Sequence, residues 1–244
     1  MSEYLICDPN SLSDTEEKTY ITTIIDFMMK NQATIHQIPY LEYAKEMLHM
    51  HKMVMIYNKK AYLTSNQPVA TTILSSWLRQ KLFHICRIKP FQSQKSASNF
   101  IASDTAVVDN CLYIGYGMDS AHHLTQVLSK DLAIIVRDLE LVDRSYKHLS
   151  SVFKPLDSGT CLCYLPAFSD KSQNKIIEDF TVIHVPEQEV RLGACHAICI
   201  DNQVLIPTQC EQTAFMLSQH DYKVSFIDQQ DSYTGPKDYI LKIN

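Results

Sequence analysis

The chain has 244 residues, is 45% hydrophobic and 20% charged, and carries a formal net charge of -5. That length is enough for one sizeable core, and a single domain over residues 1–244 is expected. A mildly acidic chain lacks the clustered excess of Lys and Arg that neutralises phosphates, so nucleic acid is not expected as a partner.

The first expected strand, Tyr4 to Cys7, lies in a start that has neither the basic flank nor the long apolar run of a signal peptide. No later stretch is long and apolar enough to span a bilayer, so a soluble, cytoplasmic protein without membrane attachment is expected. A helix from about Asp14 to Lys30 places Ile21, Ile24, Ile25 and Met28 on one face, and Thr34 to Ile38 reads as a strand. Next, Val54 to Tyr57, the turn Asn58-Lys59-Lys60 and Ala61 to Leu63 make a hairpin. Pro68 then opens a helix whose Ile73, Leu74, Trp77, Leu78 and Leu82 face a core, followed by a strand from His84 to Ile88.

The pattern repeats with Thr105 to Val108, the turn Asp109-Asn110 and Cys111 to Gly115. Asp119 or Ser120 is expected to cap a helix carrying Leu124, Val127 and Leu128, and Leu132 to Val136 reads as a strand buried on both faces. A weaker copy uses Leu149 to Phe153, Cys161 to Leu165, a helix near Asp170 to Ile177 and the strand Thr181 to Val185. The last copy has Ala197 to Ile200, the turn Asp201-Asn202-Gln203, Val204 to Ile206, a helix from Cys210 to Gln219 and the strand Tyr222 to Ile227. Finally, Tyr239 to Ile243 is expected to pair back with the start of the chain. Five units at intervals of about 35 to 55 residues fall in the range of repeat architectures. None can bury both its faces alone, so the units must pack into a closed α/β array.

Residues 146 to 168, Tyr-Lys-His-Leu-Ser-Ser-Val-Phe-Lys-Pro-Leu-Asp-Ser-Gly-Thr-Cys-Leu-Cys-Tyr-Leu-Pro-Ala-Phe, resemble a stretch of the guanidine-modifying enzymes of the pentein superfamily. Arginine deiminase, dimethylarginine dimethylaminohydrolase and amidinotransferase are among them. The resemblance implies an α/β fold in which five ββαβ-type repeats form a five-bladed α/β propeller with pseudo-fivefold symmetry. It also implies a chemistry in which a Cys thiolate attacks the guanidinium carbon, a His moves protons and carboxylates grip the NH groups.

Carried over position by position, His148 matches the family's catalytic His, and Ser150 stands in the Asp place of its His-Leu-Asp. Asp104 in Ser103-Asp104-Thr105-Ala106 matches an acidic residue, and Gly115-Tyr116-Gly117 matches a turn. Asp119-Ser120 replaces Arg-Thr, which turns a carboxylate-binding Arg into a carboxylate. In Leu192-Gly193-Ala194-Cys195-His196-Ala197-Ile198, His196 replaces Asn. In Gly235-Pro236-Lys237-Asp238-Tyr239-Ile240-Leu241, Tyr239 falls at the nucleophilic Cys. A phenol titrating near about 10 is a poorer nucleophile at neutral pH than a thiol near about 8.5, and its bulk partly fills the pocket.

The expectation is a catalytically inactive relative that binds a small cationic or guanidino ligand, or an amine, in a pocket of Asp104, Asp119, Ser150, His196 and Asp238 around His148, or that binds a protein partner. The alternatives are an active amidinohydrolase or amidinotransferase on arginine-like substrates, with Cys195 or another thiol recruited, and a noncatalytic protein-binding scaffold. No cofactor is expected. Cys161 with Cys163, and Cys195 with Cys199 and His196, could share strand faces, but they lack zinc-site spacing, so no metal is expected. Cys7, Cys86, Cys111 and Cys210 read as small core residues, and the pairs His49/His51 and His122/His123 as solvated surface.

Overall fold

The computed structural model describes residues 2–41, 48–58, 60–64, 68–81, 87–89, 100–120, 122, 124–228 and 235–243. Strand β1 (Glu3–Cys7) buries four of its five residues. Asp14 then accepts the N–H groups of Glu16 and Glu17 at 2.8 and 3.0 Å, and this cap opens helix α1 (Thr15–Lys30). The helix buries Ile21, Ile24, Ile25 and Met28 in one cluster with β1, and the chain returns as β2 (Thr34–Ile38), parallel to β1.

The second unit comprises α2 (Met50–Met53), β3 (Val54–Tyr57), β4 (Lys60–Leu63), α3 (Pro68–Lys81) and β5 (Arg87–Lys89). The third has β6 (Thr105–Val108), β7 (Cys111–Tyr116), α4 (Leu124–Leu132) and β8 (Ile135–Glu140). The fourth has β9 (Phe153–Pro155), β10 (Thr160–Cys163), α5 (Asp170–Asp179) and β11 (Thr181–His184). The fifth has α6 (Glu187–Arg191), β12 (Ile198–Ile200), β13 (Gln203–Pro207), α7 (Glu211–Gln219) and β14 (Lys223–Ile227), and β15 (Ile240–Lys242) ends the described chain.

These strands form five three-stranded sheets of one design, with an antiparallel first pair and a third strand parallel to the middle one. Asn58, Asp109 and Asp201 take positive φ at the hairpin turns, a conformation that Asn and Asp adopt more readily than other side chains. The first unit borrows its antiparallel strand from the other end of the chain. There β15 pairs with β1 in the register Tyr4↔Lys242, Leu5↔Leu241, Ile6↔Ile240.

A short helical turn precedes the first strand of each sheet: α2, Ala102–Asp104, Leu149–Ser151, Ala194–His196 and Pro236–Tyr239. Their contacts run in a cycle, in which α2 touches 102–104, 102–104 touches 149–151, 149–151 touches 194–196, 194–196 touches 236–239, and 236–239 touches α2. Every candidate residue but Asp119 lies on, or caps, one of these turns.

Several elements depart from the sequence expectation. Leu149 to Phe153 is a helical turn followed by β9, because Asp104 Oδ1 accepts the Leu149 N–H at 3.0 Å and holds the backbone out of the ladder. Neither Asp119 nor Ser120 caps α4, which starts at Leu124; the Ser120 hydroxyl donates to Asp104 Oδ2 instead. Leu132 closes α4, Ala133 takes φ 52, and the expected strand starts at Ile135. Tyr239 ends a helical turn rather than opening a strand. Lys59, Leu82, His84, Cys86 and His123 lie outside the described residues. Among the described residues no helix is long and apolar enough to cross a membrane.

Candidate functional site

The turn Ala102–Asp104 puts the Asp104 carboxylate into a nearly solvent-free position, 1% exposed. Its Oδ1 accepts the Leu149 N–H and lies 3.2 Å from His148 Nδ1, and its Oδ2 accepts the Ser120 hydroxyl at 2.5 Å. His148 Nε2 points toward Asp119 Oδ2 at 4.0 Å, beyond hydrogen-bond reach. His148 therefore sits between two carboxylates, one buried and one half-exposed. An imidazole anchored at Nδ1 with Nε2 free is the arrangement that moves protons to a bound molecule.

A second pair lies on the next two turns of the cycle. His196 Nδ1 is 2.9 Å from Asp238 Oδ1, and Lys52 Nζ is 3.5 Å from Asp238 Oδ2. Burial alone would push the Asp238 carboxyl up. The charges and hydrogen bond of His196, with Lys52 and His51, outweigh it and hold the group well below the usual carboxylate range. His51 and His49 are pushed the other way, chiefly by burial, so both favour the neutral form. His51 Nε2 and His49 Nδ1 are buried and make no hydrogen bond among the described residues.

A cavity of about 380 Å³ opens between these pairs, lined by His148, His196, Tyr146, Lys147, Val190 and Arg191 among others. Arg191 is bonded to Glu187, which offsets its charge, whereas Lys147 is exposed. Tyr239 does not line this cavity. It is 8% exposed, with its ring 5.2 Å from the rings of Tyr20 and His49 and its hydroxyl 3.4 Å from Glu17 Oε1. The residue that this turn aims at the histidines is Asp238.

The structure thus brings Asp104, Asp119 and His148 together as expected. It moves Asp238 into a separate pair with His196, because the 236–239 turn packs on 194–196 and α2 rather than on 149–151. Ser150 is buried, and its Oγ makes no hydrogen bond among the described residues. His49 and His51, expected at the surface, stand inside the cycle of turns, and Lys52 and Ser120 were not expected in it at all. The signal for the α2 residues was positional: His49-Met50-His51-Lys52 immediately precedes the first strand of its unit, the place that carries Asp104, His148, His196 and Asp238 in the others. Among the described residues no three His, Cys, Asp or Glu side chains group as a metal site.

No protein-family model matches the chain. It is 31% identical over 125 residues to an uncharacterized protein of Caenorhabditis elegans, ZK1307.1, a match that spans 49% of this chain and 44% of that one. It is 30% identical over 117 residues to ArgZ of Synechocystis sp., a bifunctional arginine dihydrolase/ornithine cyclodeaminase, of which the match spans 16%. These matches therefore span less than half the length of either relative. The structure superposes on the substrate-bound N-terminal domain of ArgZ with a TM-score of 0.84 at 17% identity, covering 100% of this chain and 98% of that domain.

The fold is that of the penteins. A dimethylarginine dimethylaminohydrolase crystallised as an adduct with 4-chloro-2-hydroxymethylpyridine agrees, with a TM-score of 0.77, 16% identity and 98% of each chain covered. Within this fold, His148 and His196 are the histidines of the five turns that line the cavity of about 380 Å³.

Proposed function

We propose that this chain is a pentein-type binding protein without amidino-transfer activity, holding a small guanidino or amine ligand in the cavity beside His148. In this reading the five units close around a pseudo-fivefold axis as one domain, which the β15–β1 pairing and the cycle of turn contacts support. The observation that carries the reading is the placement of Tyr239. It occupies the position of the family's nucleophilic Cys, and its ring is held against Tyr20 and His49, away from the cavity.

Among the described residues no thiol lines that cavity. Cys195, the nucleophile of the alternative reading, is fully buried, and burial pushes its thiol far above the usual range, where the reactive thiolate is scarce. Asp119 stands where the resemblance puts a carboxylate-binding Arg; it does not line the cavity, but its carboxylate lies 4.0 Å from Nε2 of His148, which does, and its negative charge there favours a cation beside the histidine. The seven cysteines among the described residues are free, which fits a reducing, cytoplasmic setting.

Calorimetric titration with arginine, agmatine and propionate tests the ligand class, with the two cations expected to bind tighter than the acid. Incubation with arginine and methylated arginines, followed for citrulline and ornithine over hours, is expected to show no turnover. Tighter binding of the acid would overturn the ligand assignment. Steady turnover abolished by thiol alkylation would overturn the loss of chemistry and make a cysteine the nucleophile.

A further inference from the structure

A second cavity, of about 840 Å³, shares no lining residue with the one beside His148. Lys154 of β9, Lys237 of the 236–239 turn, Lys242 of β15 and His51 of α2 all line it. Lys154 and Lys237 are half-buried and Lys242 is exposed, and none of the three makes an ion pair among the described residues. His51 adds a buried Nε2 with no hydrogen-bond partner among the described residues.

Two acids also line the cavity, against three lysines, and neither forms an ion pair with any of the three among the described residues. Glu3 is engaged by His36 at 3.3 Å, and Asp109 sits on the exposed β6–β7 turn. Three lysines gathered around one cavity without a paired acid repel one another, a cost that a bound anion would offset. We propose that this cavity is an anion site that takes a small organic phosphate, with the phosphate held by Lys154, Lys237, Lys242 and His51.

Phosphate is favoured over carboxylate because it carries more negative charge and an additional acceptor oxygen, and so can satisfy several lysines at once, each a compact point charge with three donors. The rest of the lining is mixed, with Val54, Met55, Val107 and Leu241 beside Asn58 and Thr105. A volume of this size accommodates an organic body beyond the phosphate itself.

The protonation of the two inner lysines supports the assignment. Burial, then the charge of Lys154, brings Lys237 down to about 7, against the opposing pull of Asp238 and the Cys195 thiol. Burial also brings Lys154 down to about 8, with Lys242 lowering it and Cys199 and Cys195 raising it. The neutral forms are therefore well populated just above neutral pH. An anion favours the charged forms, so its binding must take up protons and weaken as pH rises.

The test is calorimetric titration of the full chain with inorganic pyrophosphate at pH 7 and pH 9, in buffers of different ionisation enthalpy. Saturable binding is expected, tighter at pH 7, with a heat that varies with the buffer near pH 8 because protons are absorbed. Lys154→Met and Lys237→Met should each weaken it at least tenfold, whereas Lys130→Met on the exposed face of α4 should not. Arginine binding beside His148 should survive Lys154→Met, which separates this site from the proposed function. If either variant fails to fold, protection of Lys154 and Lys237 from reductive methylation by pyrophosphate in the unmodified chain reads the same site. Absence of binding at millimolar pyrophosphate, affinity unchanged in the lysine variants, or methylation unaffected by pyrophosphate would each overturn the proposal.

Discussion

His196 and Asp238, 42 positions apart in the chain, meet through a 2.9 Å contact between Nδ1 and Oδ1 with side chains only 5% and 0% exposed. A carboxylate can only accept, so the ring nitrogen donates, and the bond fixes the tautomer as well as the position of His196. It joins the start of the fifth unit to the turn that delivers β15 back to β1. A buried acid shared by His196 and Lys52 is thus a joint of the fold as much as a part of the candidate site.

Asp238→Asn should destabilise the chain by about 3–5 kcal/mol, the usual cost of removing one partner of a buried charge pair. The sign of its pH dependence follows from the depressed Asp238 pKa. A carboxyl held below its unfolded value contributes stability that is present above about pH 4 and is lost as the pH falls toward the folded value. In urea unfolding, the difference between the parent chain and Asp238→Asn should be constant near pH 6 and shrink below about pH 4. A difference that grew on acidification would mean that the acid is not paired.

Gly235→Ala tests the same joint from the backbone. A Cβ at that position would lie 2.3 Å from His196 Cβ and 3.1 Å from the Gly193 carbonyl oxygen. Neither atom is the far end of a flexible side chain, so the turn or His196 must move. Overpacking of this kind costs about 1–3 kcal/mol. The variant should lose that much stability in urea unfolding and lose the His196–Asp238 bond, seen as a changed imidazole resonance.

Tyr239 separates a packing role from a chemical one. Tyr239→Phe should cost about 1 kcal/mol, because the contact of the hydroxyl with Glu17 is long, at 3.4 Å, and a typical hydrogen bond contributes about that much. Tyr239→Ala should cost about 3–5 kcal/mol, because the ring packs on Tyr20 and His49. Tyr239→Cys should remain without citrulline or ornithine production from arginine, since the new thiol would face Tyr20 and not the cavity containing His148. Detectable turnover by that variant would show that the 236–239 turn can present this position to the histidine.

Much of the scaffold is legible locally. Thr34–Ile38, Val54–Tyr57 and Thr105–Val108 are strands with the bounds expected from their apolar runs and flanking turns. Asp109 and Asp201 turn where the hairpin pattern put them, and Asp14 starts α1 because its side chain bonds N–H groups two and three residues on. Each of these features is decided within a few residues. Leu149 to Phe153 was misread because the partner of the Leu149 N–H is Asp104, 45 positions away, and no local pattern reveals a tertiary bond of that range.

The sequence by itself determined the repeat and the chemical types at each turn, including a phenol and no thiol at position 239, because these depend on residue identity and short-range periodicity. Only the tertiary structure decided which turns touch, and hence that His148 pairs with Asp104 while His196 takes Asp238 from the far end of the chain. It also decided that His49 Nδ1 and His51 Nε2 are buried, and that Lys154 and Lys237 share a cavity. The physical reason is that burial and charge neighbours are properties of the packed surface, to which residues distant in sequence contribute equally, so the protonation and partners of a side chain are set only once the units have met.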